Sequence, residues 1–374
     1  MNQYFATVAR GLEEIAAQEL EALGAKKVNP TFTGIEFQGD QKLLYQINLW
    51  SRLIFRVLVP IQKFPCHNAK QLYQGVQSVN WEKYLSPEQS LMVHCTGKNK
   101  QLNHTHFSAL QVKNAIADQQ RDYFGKRSDV NLENPDLIIN LHIKDTYAIL
   151  SLDSTGESLH RRGYRPAMGV APLKETFAAA LLQMTDWETH LPLLDPMCGS
   201  GTFLIEAGLQ SLNIAPGLFR KQFAFEKWSD FNPQLWQQLK REARQQQRSE
   251  LPAGIYGRDR ASEMLKQAKT NAKNCNLNHH LDLAQIDLEN LEPPSEQGII
   301  ICNPPYGKRL GEVKELGQLY KQLGDVFKQR FKGWIAYVLS GNKELTKQIG
   351  LRTSKRIPAY NGSIPCTLLR YEIM

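Results

Sequence analysis

Apolar positions in the first sixty residues switch repeatedly between two periods. "YFATVA", "GIEFQ" and "FRVLVPI" read as short β-type runs, whereas "LEEIAAQELEALG" and "LLYQINLWSRL" keep helical spacing, with Leu12, Ile15, Leu20 and Leu23 on one face of the first helix. Strands and helices in that order predict a small α+β sandwich of ferredoxin-like type over residues 1–64. Between 65 and 155 the pattern changes. A strand, "SLMVHCTG", leads to the helix "SALQVKNAIADQQRDYFG", and "DLIINLHIKDTYAILSLD" then alternates apolar and polar residues across a turn at Lys144-Asp145. This stretch predicts a second α+β unit.

Residues 156–172 carry neither period, and "LHRRGYRP" within them joins three arginines, a glycine and a proline, the composition of a linker. From 173 to 374 a helix in "PLKETFAAALLQMT" precedes five apolar runs with helical spacers: "LPLLD", "GIYGRD", "LDLAQID", "GIIICN" and "WIAYVLSG". Such alternation predicts an α/β architecture with a parallel sheet and helices on both faces. The closing "YNGSIPCTLLRYEI" has an Asn361-Gly362 turn before an apolar run, so the last strand is expected to return antiparallel. An insertion at 208–252 is too long for a plain crossover; its basic "WQQLKREARQQQRSE" reads as a solvated helix, with RNA contact as the sharper alternative. No internal repeat recurs at a fixed period.

Composition narrows the class. The 374 residues are 42% hydrophobic and 22% charged, ordinary globular values. Without a run of about 18 apolar residues or an apolar signal segment in "MNQYFATVARGLEE", a cytoplasmic protein with no membrane partner is expected. The six cysteines lack C-x-x-C spacing, and His279-His280 near Cys275 reads as a polar loop, so no metal is expected. A net charge of +8 favours a polyanionic partner, since each phosphate neutralised releases condensed counterions. Lys98, Asn99, Lys100, His104, His106 and Lys113 cluster where the second unit's strand meets its helix, and Arg161, Arg162 and Arg165 punctuate the linker. Lys98, Lys100, Lys113 and the three arginines are the candidate RNA contacts; a solvated loop and an inert tether would have the same composition.

Candidate chemistry lies along the later strand ends. "LLDPMCGSGTFLIEAG" runs strand, turn, helix, with Asp195 at the strand end and Gly199 and Gly201 in the turn. A dinucleotide fingerprint needs a third glycine where Leu204 stands, and an acid before the turn repels phosphate but suits the ammonium of S-adenosylmethionine. Asp259, ending "GIYGRD", can accept from ribose hydroxyls, and Asp287, ending "LDLAQID", from an adenine amino group. In "GIIICNPPYG" a buried run delivers Asn303 to the same edge. There the Asn303 side-chain oxygen and the Pro304 carbonyl could accept both N–H bonds of a planar amine, making its nitrogen more reactive, while Tyr306 offers a face for an extruded base.

In their order, "DPMCGSG", Asp259, Asp287 and "NPPY" resemble class I, Rossmann-like nucleic-acid amino-methyltransferases. With "LHRRGYR", "APLKETFAAALL" and the upstream "ALQVKNAIADQQRDYFG", the chain is similar over nearly its whole length to THUMP-containing RNA methyltransferases, above all the bacterial 23S rRNA guanine-N2 methyltransferase L family. The resemblance implies a ferredoxin-like unit (1–64), a THUMP RNA-binding unit (65–155), a linker (156–172) and a methyltransferase domain (173–374). It implies that Cys198, Gly199, Gly201 and Thr202 join Asp195 around the cofactor's methionine end, that Arg260 joins Asp259 at the ribose and Leu288 joins Asp287 at the adenine, and that Asn303, Pro304 and Tyr306 hold a guanine. Lys174 and Glu175 read as a helix-surface pair. The expected partner is 23S rRNA or a large-subunit assembly intermediate. Some family members carry a second methyltransferase at the carboxyl end; this chain stops at Met374, and no second activity is expected of it. A DNA or other RNA amino-methyltransferase, acting on adenine N6 or a tRNA guanine, and a non-catalytic ribosome-assembly factor are the alternatives.

Overall fold

The computed structural model describes residues 1–165, 173–307 and 310–374. Its amino-terminal half contains β1 (Asn2–Thr7), α1 (Glu13–Ala22), β2 (Lys26–Thr31), β3 (Gly34–Gly39), α2 (Gln41–Trp50) and β4 (Arg56–Pro65). These are followed by α3 (Ala69–Gln77), β5 (Ser90–Lys98), α4 (Thr105–Phe124), β6 (Asp129–Val130), β7 (Leu137–Lys144) and β8 (Tyr147–Asp153). The first four strands order as β2-β3-β1-β4 with antiparallel neighbours, because each helical crossover skips a place that another strand fills. That is the ferredoxin-like arrangement. β2, with Pro30 and few apolar residues, is not announced by the hydrophobic pattern; it lies at the sheet edge, where proline is tolerated.

β4 serves two masters. Its start pairs with β1, Thr7 opposite Arg56, and its remainder pairs with β8, from Leu58 opposite Asp153 to Pro65 opposite Tyr147. All eight strands therefore form one sheet, β2-β3-β1-β4-β8-β7-β5-β6. A boundary at 64/65 falls on the end of that shared strand, not in a loop. Local chemistry fits the helix ends: Asp40 and Asn68 accept from the backbone N–H groups of Leu43 (2.8 Å) and Gln71 (2.9 Å) and so cap α2 and α3.

The carboxyl-terminal half begins with α5 (Glu175–Gln183), β9 (Leu193–Asp195), α6 (Thr202–Ser211), α7 (Pro233–Gln245), β10 (Ile255–Asp259), α8 (Ser262–Asn274) and β11 (Leu281–Gln285). It ends with β12 (Ile299–Cys302), α9 (Leu310–Arg330), β13 (Ile335–Ser340), α10 (Lys343–Gln348), β14 (Thr353–Asn361) and β15 (Ile364–Glu372). The sheet order is β11-β10-β9-β12-β13-β15-β14, parallel through β13, with β15 antiparallel to both neighbours. β15 is the returning strand that the sequence pattern predicts, and β14 is an additional edge strand paired to it.

Packing joins the halves. One apolar core runs from Tyr4, Ile35 and Phe37 under the first sheet to Leu204, Leu209 and Ile301 in the second. The insertion is its keystone: Tyr45 of α2 stacks on Phe225 with ring centres 4.4 Å apart and meets Trp236 of α7 edge-on at 6.0 Å. α7 is thus not the merely solvated helix expected from its charges, since Trp236, Leu239 and Ala243 bury one face. Two further clusters complete the interior, one around Leu72, Ile116 and Leu141, the other around Ile300, Phe327 and Trp334. No described helix is long and apolar enough to cross a membrane.

Candidate active site

Chain order fixes where the site forms. β9 has β10 on one side and β12 on the other, so the connections leaving the sheet diverge there, and the crevice outside their carboxyl ends is the usual ligand position in open α/β sheets. Asp195, Asp259 and Asn303 all leave the sheet at this edge.

The glycine turn after β9 is built by close approach. Gly199 and Gly201 adopt φ 53° and 82°, a region that L side chains rarely enter. A Cβ on Gly201 would press on the Ala268 Cβ at 3.2 Å, whereas one on Gly199 would meet nothing within 4 Å, so the turn is packed below and open above. Gly257 on β10 was not singled out in the sequence, yet a Cβ there would lie 2.3 Å from the Leu204 side chain. The Asp259 carboxylate accepts from Gly199 N (2.8 Å) and Ala261 N (2.9 Å), tying the turn to the end of β10. Asn271, buried on α8, donates to the Ser200 carbonyl at 3.1 Å, a brace the sequence reading missed because a lone helical asparagine carries no motif.

Asp195 is 2% exposed and accepts from Met197 N at 3.1 Å. Burial pushes its carboxyl up to about 8, against that hydrogen bond and aided by the Asp259 charge. Burial also raises the Cys198 thiol, which stays protonated and is no nucleophile. The edge thus offers a buried acid with no cationic partner among the described residues, an open turn, and a second carboxylate with unused lone pairs. This set fits a ligand carrying an ammonium and vicinal hydroxyls.

Asn303 follows the wholly buried β12 and is itself half-buried; Pro304 is buried. The Tyr306 hydroxyl donates to the Asn303 side-chain oxygen, and burial raises that hydroxyl so that it keeps its proton. The Tyr306 ring is half-buried, packed against the main core on one part and left accessible on the rest. Residues outside the motif hold the corner. Tyr320 donates to the Pro305 carbonyl (3.3 Å) and pairs with Ser340 (3.2 Å), while Asn342 donates to the Tyr306 carbonyl (3.3 Å). None of these three was legible beforehand, since they come from α9, β13 and the turn after it.

The segment after β11 stays beside the end of β10, with Ile286 N donating to the Asp259 carbonyl (3.2 Å) and the Gln285 side chain to the Arg260 carbonyl (2.9 Å). Arg260 is exposed; Asp287 is exposed and lies two residues past the end of β11; Leu288 is half-buried against the core. Lys98 and Lys100 are exposed around a turn that Asn99 fastens by accepting from Leu102 N (2.7 Å), and Lys113 is half-buried on α4. Arg161 is exposed and pairs with Glu157 at 2.8 Å. Arg162 must be withdrawn as an RNA contact: its side chain is 1% exposed, bonds the Arg52 carbonyl at 2.6 Å, and pairs at 3.2 Å with Glu206, itself 0% exposed. Arg165 faces inward too, pairing with Glu175 at 3.1 Å and donating to the Thr202 hydroxyl at the start of α6. Glu175 is consequently buried, and only Lys174 of that pair lies on the helix surface. The linker residues 166–172 lie outside the described residues. Two surface hollows, about 270 Å³ beside Lys63, His67 and Tyr147 and about 380 Å³ beside Lys321, Asp325 and Arg330, include none of Asp195, Asp259 or Asn303.

Comparison with known proteins adds three matched models: the RMKL-like methyltransferase domain of UPF0020 over residues 162–370, a THUMP domain over 66–153 and an RlmL ferredoxin-like domain over 3–58. A Synechocystis sp. protein with a provisional RNA methyltransferase name is 58% identical over 99% of this chain and 96% of its own length. The ribosomal RNA large subunit methyltransferase K/L of Syntrophotalea carbinolica is 43% identical over 99% of this chain and 53% of its own; the chain spans about half the length of such K/L relatives. Among solved structures, a methyltransferase candidate complexed with S-adenosylhomocysteine aligns with a TM-score of 0.88 at 30% identity, covering 100% of this chain and 98% of that one. A Listeria monocytogenes protein whose name predicts an N6-adenine-specific DNA methylase aligns equally, at 0.88 and 30%, covering 100% and 96%.

Proposed function

We propose, for a chain that belongs to the UPF0020 family of RMKL-like methyltransferase domains, that it methylates the exocyclic N2 amine of a guanine in 23S rRNA. S-adenosylmethionine is its cofactor and supplies a sulfonium-bound, electrophilic methyl group. The observation that carries the reading is the convergence of Asp195, the glycine turn, Asp259 and the Asn303 corner on one sheet edge. Support for RNA over DNA comes from the THUMP match, the positive net charge and the relatives named for ribosomal RNA.

Asp195 would hold the ammonium, Gly199 and Gly201 would let the backbone close on the methionine end beside Cys198 and Thr202, and Asp259 would take the ribose hydroxyls. Asp287, Leu288 and Arg260 would flank the adenosine side. At the corner the Asn303 oxygen has two lone pairs; the Tyr306 hydroxyl uses one, and the other can accept from the guanine amine together with the Pro304 carbonyl. Two acceptors on one amine localise its lone pair and aim it in line with the methyl–sulfur bond, so positioning supplies most of the rate. On the RNA side, Lys98, Lys100, Lys113 and Arg161 remain as phosphate contacts.

Labelled S-adenosylmethionine incubated with transcribed 23S rRNA, followed by nucleoside mass analysis, tests the assignment. The expected product is N2-methylguanosine. Asn303→Ala should remove it while leaving cofactor binding within about threefold, and N6-methyladenine as the product would replace guanine with the DNA- or RNA-adenine alternative. Turnover retained in Asn303→Ala would sink the mechanism.

A further inference from the structure

The tip of the ferredoxin-like sandwich bears an aromatic group that its own packing does not explain. Phe32, in the turn between β2 and β3, is 78% exposed and precedes Thr33 at φ 56°. Arg10, exposed in the loop after β1, lies beside it, with its guanidinium carbon 6.0 Å from the Phe32 ring centre. The same carbon is 4.7 Å from the ring of Tyr360, near the end of β14. One cation is therefore shared by two rings that come from opposite ends of the chain.

This cluster continues the line of the active site. β12, β13, β15 and β14 are successive neighbours, and residues at their edge ends touch in the same order. Asn303, after β12, holds the Tyr306 hydroxyl. The Tyr306 ring and Ile364 both close on Gly341, where a Cβ would lie 3.1 Å and 3.3 Å from them. Ile364, 41% exposed, pairs with Asn361 across the β14–β15 turn, next to Tyr360. Three strand spacings, about 15 Å, separate β12 from β14.

We infer that Arg10, Phe32 and Tyr360 form a stacking platform for an unpaired nucleotide of the RNA substrate, lying a few positions from the base held at Asn303. The inference rests on the RNA methyltransferase reading. A guanine offered to Asn303 must leave its stack, which unpairs the nucleotides beside it, and about 15 Å is within reach of a short single strand. Ring faces and a guanidinium plane are what such a strand uses: bases stack on the one, and the other also neutralises phosphate. Nucleic acid suits both the exposed cation and the net charge of +8. The ferredoxin-like unit thereby gains a direct role in choosing the methylated site.

The full chain with Phe32→Ala, Arg10→Ala or Phe32→Trp tests this in steady-state methylation of transcribed 23S rRNA. Phe32→Ala should raise the KM for RNA about tenfold, with kcat and S-adenosylmethionine affinity within twofold of the parent. Phe32→Trp should restore KM, as a stacking role requires and a purely steric one does not. Arg10→Ala should raise KM and lower its dependence on salt. A KM within twofold of the parent in both alanine variants overturns the platform, as does an unchanged KM accompanied by loss of a dimer or of a bound protein in sedimentation. If the parent transfers no methyl either to the transcript or to large-subunit assembly intermediates, the RNA reading falls and the platform with it; if the parent transfers and the variants match it, the platform alone falls.

Discussion

Asp195 holds its proton up to a pH of about 8 because it is buried with a backbone N–H and no described cation for company. The same carboxyl ionises near pH 4 in an unfolded chain, so folding takes up a proton between these values. The stability this contributes is complete below about pH 4 and is lost as pH climbs towards 8. Asp195→Asn keeps the shape without the ionisable group, and its melting temperature should exceed the parent's above about pH 8, with the gap closing towards pH 5. Its S-adenosylmethionine affinity should fall at least tenfold, the worth of a charged hydrogen bond. For the parent, binding below pH 8 should release a proton, seen in titration calorimetry as a heat that varies with the buffer's ionisation enthalpy. A variant that is no more stable than the parent at alkaline pH, or a parent that releases no proton, would show that Asp195 is already ionised.

Elements built on a local period were legible before the fold was known: the strand ends carrying Asp195, Asp259 and Asn303, the glycine turn, and the antiparallel return of β15. What escaped depends on partners distant in sequence. Arg162 sits in a polar, linker-like string, and nothing local says that Glu206 and the Arg52 carbonyl will close over it. Asn271, Tyr320 and Asn342 brace the site from ordinary helical or turn positions for the same reason. α7 is the instructive case. Trp236, Leu239 and Ala243 stand at helical spacing, but charges around them dominate the composition, and only Tyr45 and Phe225 reveal that this narrow stripe is buried. Trp236→Ala should cost about 3–5 kcal/mol in denaturant unfolding, as expected for a large buried aromatic, whereas Arg241→Ala should cost under 0.5 kcal/mol. Similar midpoints for the two would mean that α7 does not support the core.

At the scale of the whole molecule, the unit from 65 to 155 has a buried core of its own, whereas the first and last units share one. The sequence view of a linker at 156–172 implies that deleting residues 1–160 removes RNA binding but spares the cofactor site. The packing argues otherwise. Tyr4, Phe37, Leu44 and Ile47 share one core with Leu204, Leu209 and Ile214; Arg52 donates to the Leu209 (3.2 Å) and Ile214 (2.8 Å) carbonyls; and Arg162 neutralises Glu206 on the helix that begins at the cofactor turn. The cut removes about a third of that core together with Arg52, which leaves two carbonyls and a stretch of apolar surface uncovered. Deletion of residues 1–160 should therefore abolish S-adenosylmethionine binding and the near-ultraviolet signature of packed aromatics, not merely weaken RNA affinity. The smaller lesion Arg162→Ala should lower stability by about 3–5 kcal/mol, because it strands a buried Glu206, and the paired change to Arg162→Met with Glu206→Leu should recover most of it. A truncated chain that binds the cofactor with the parent's affinity would restore the picture of independent domains; loss of binding, rescued by neither salt nor substrate RNA, would establish that the amino-terminal unit is part of the structure that holds the cofactor turn in place.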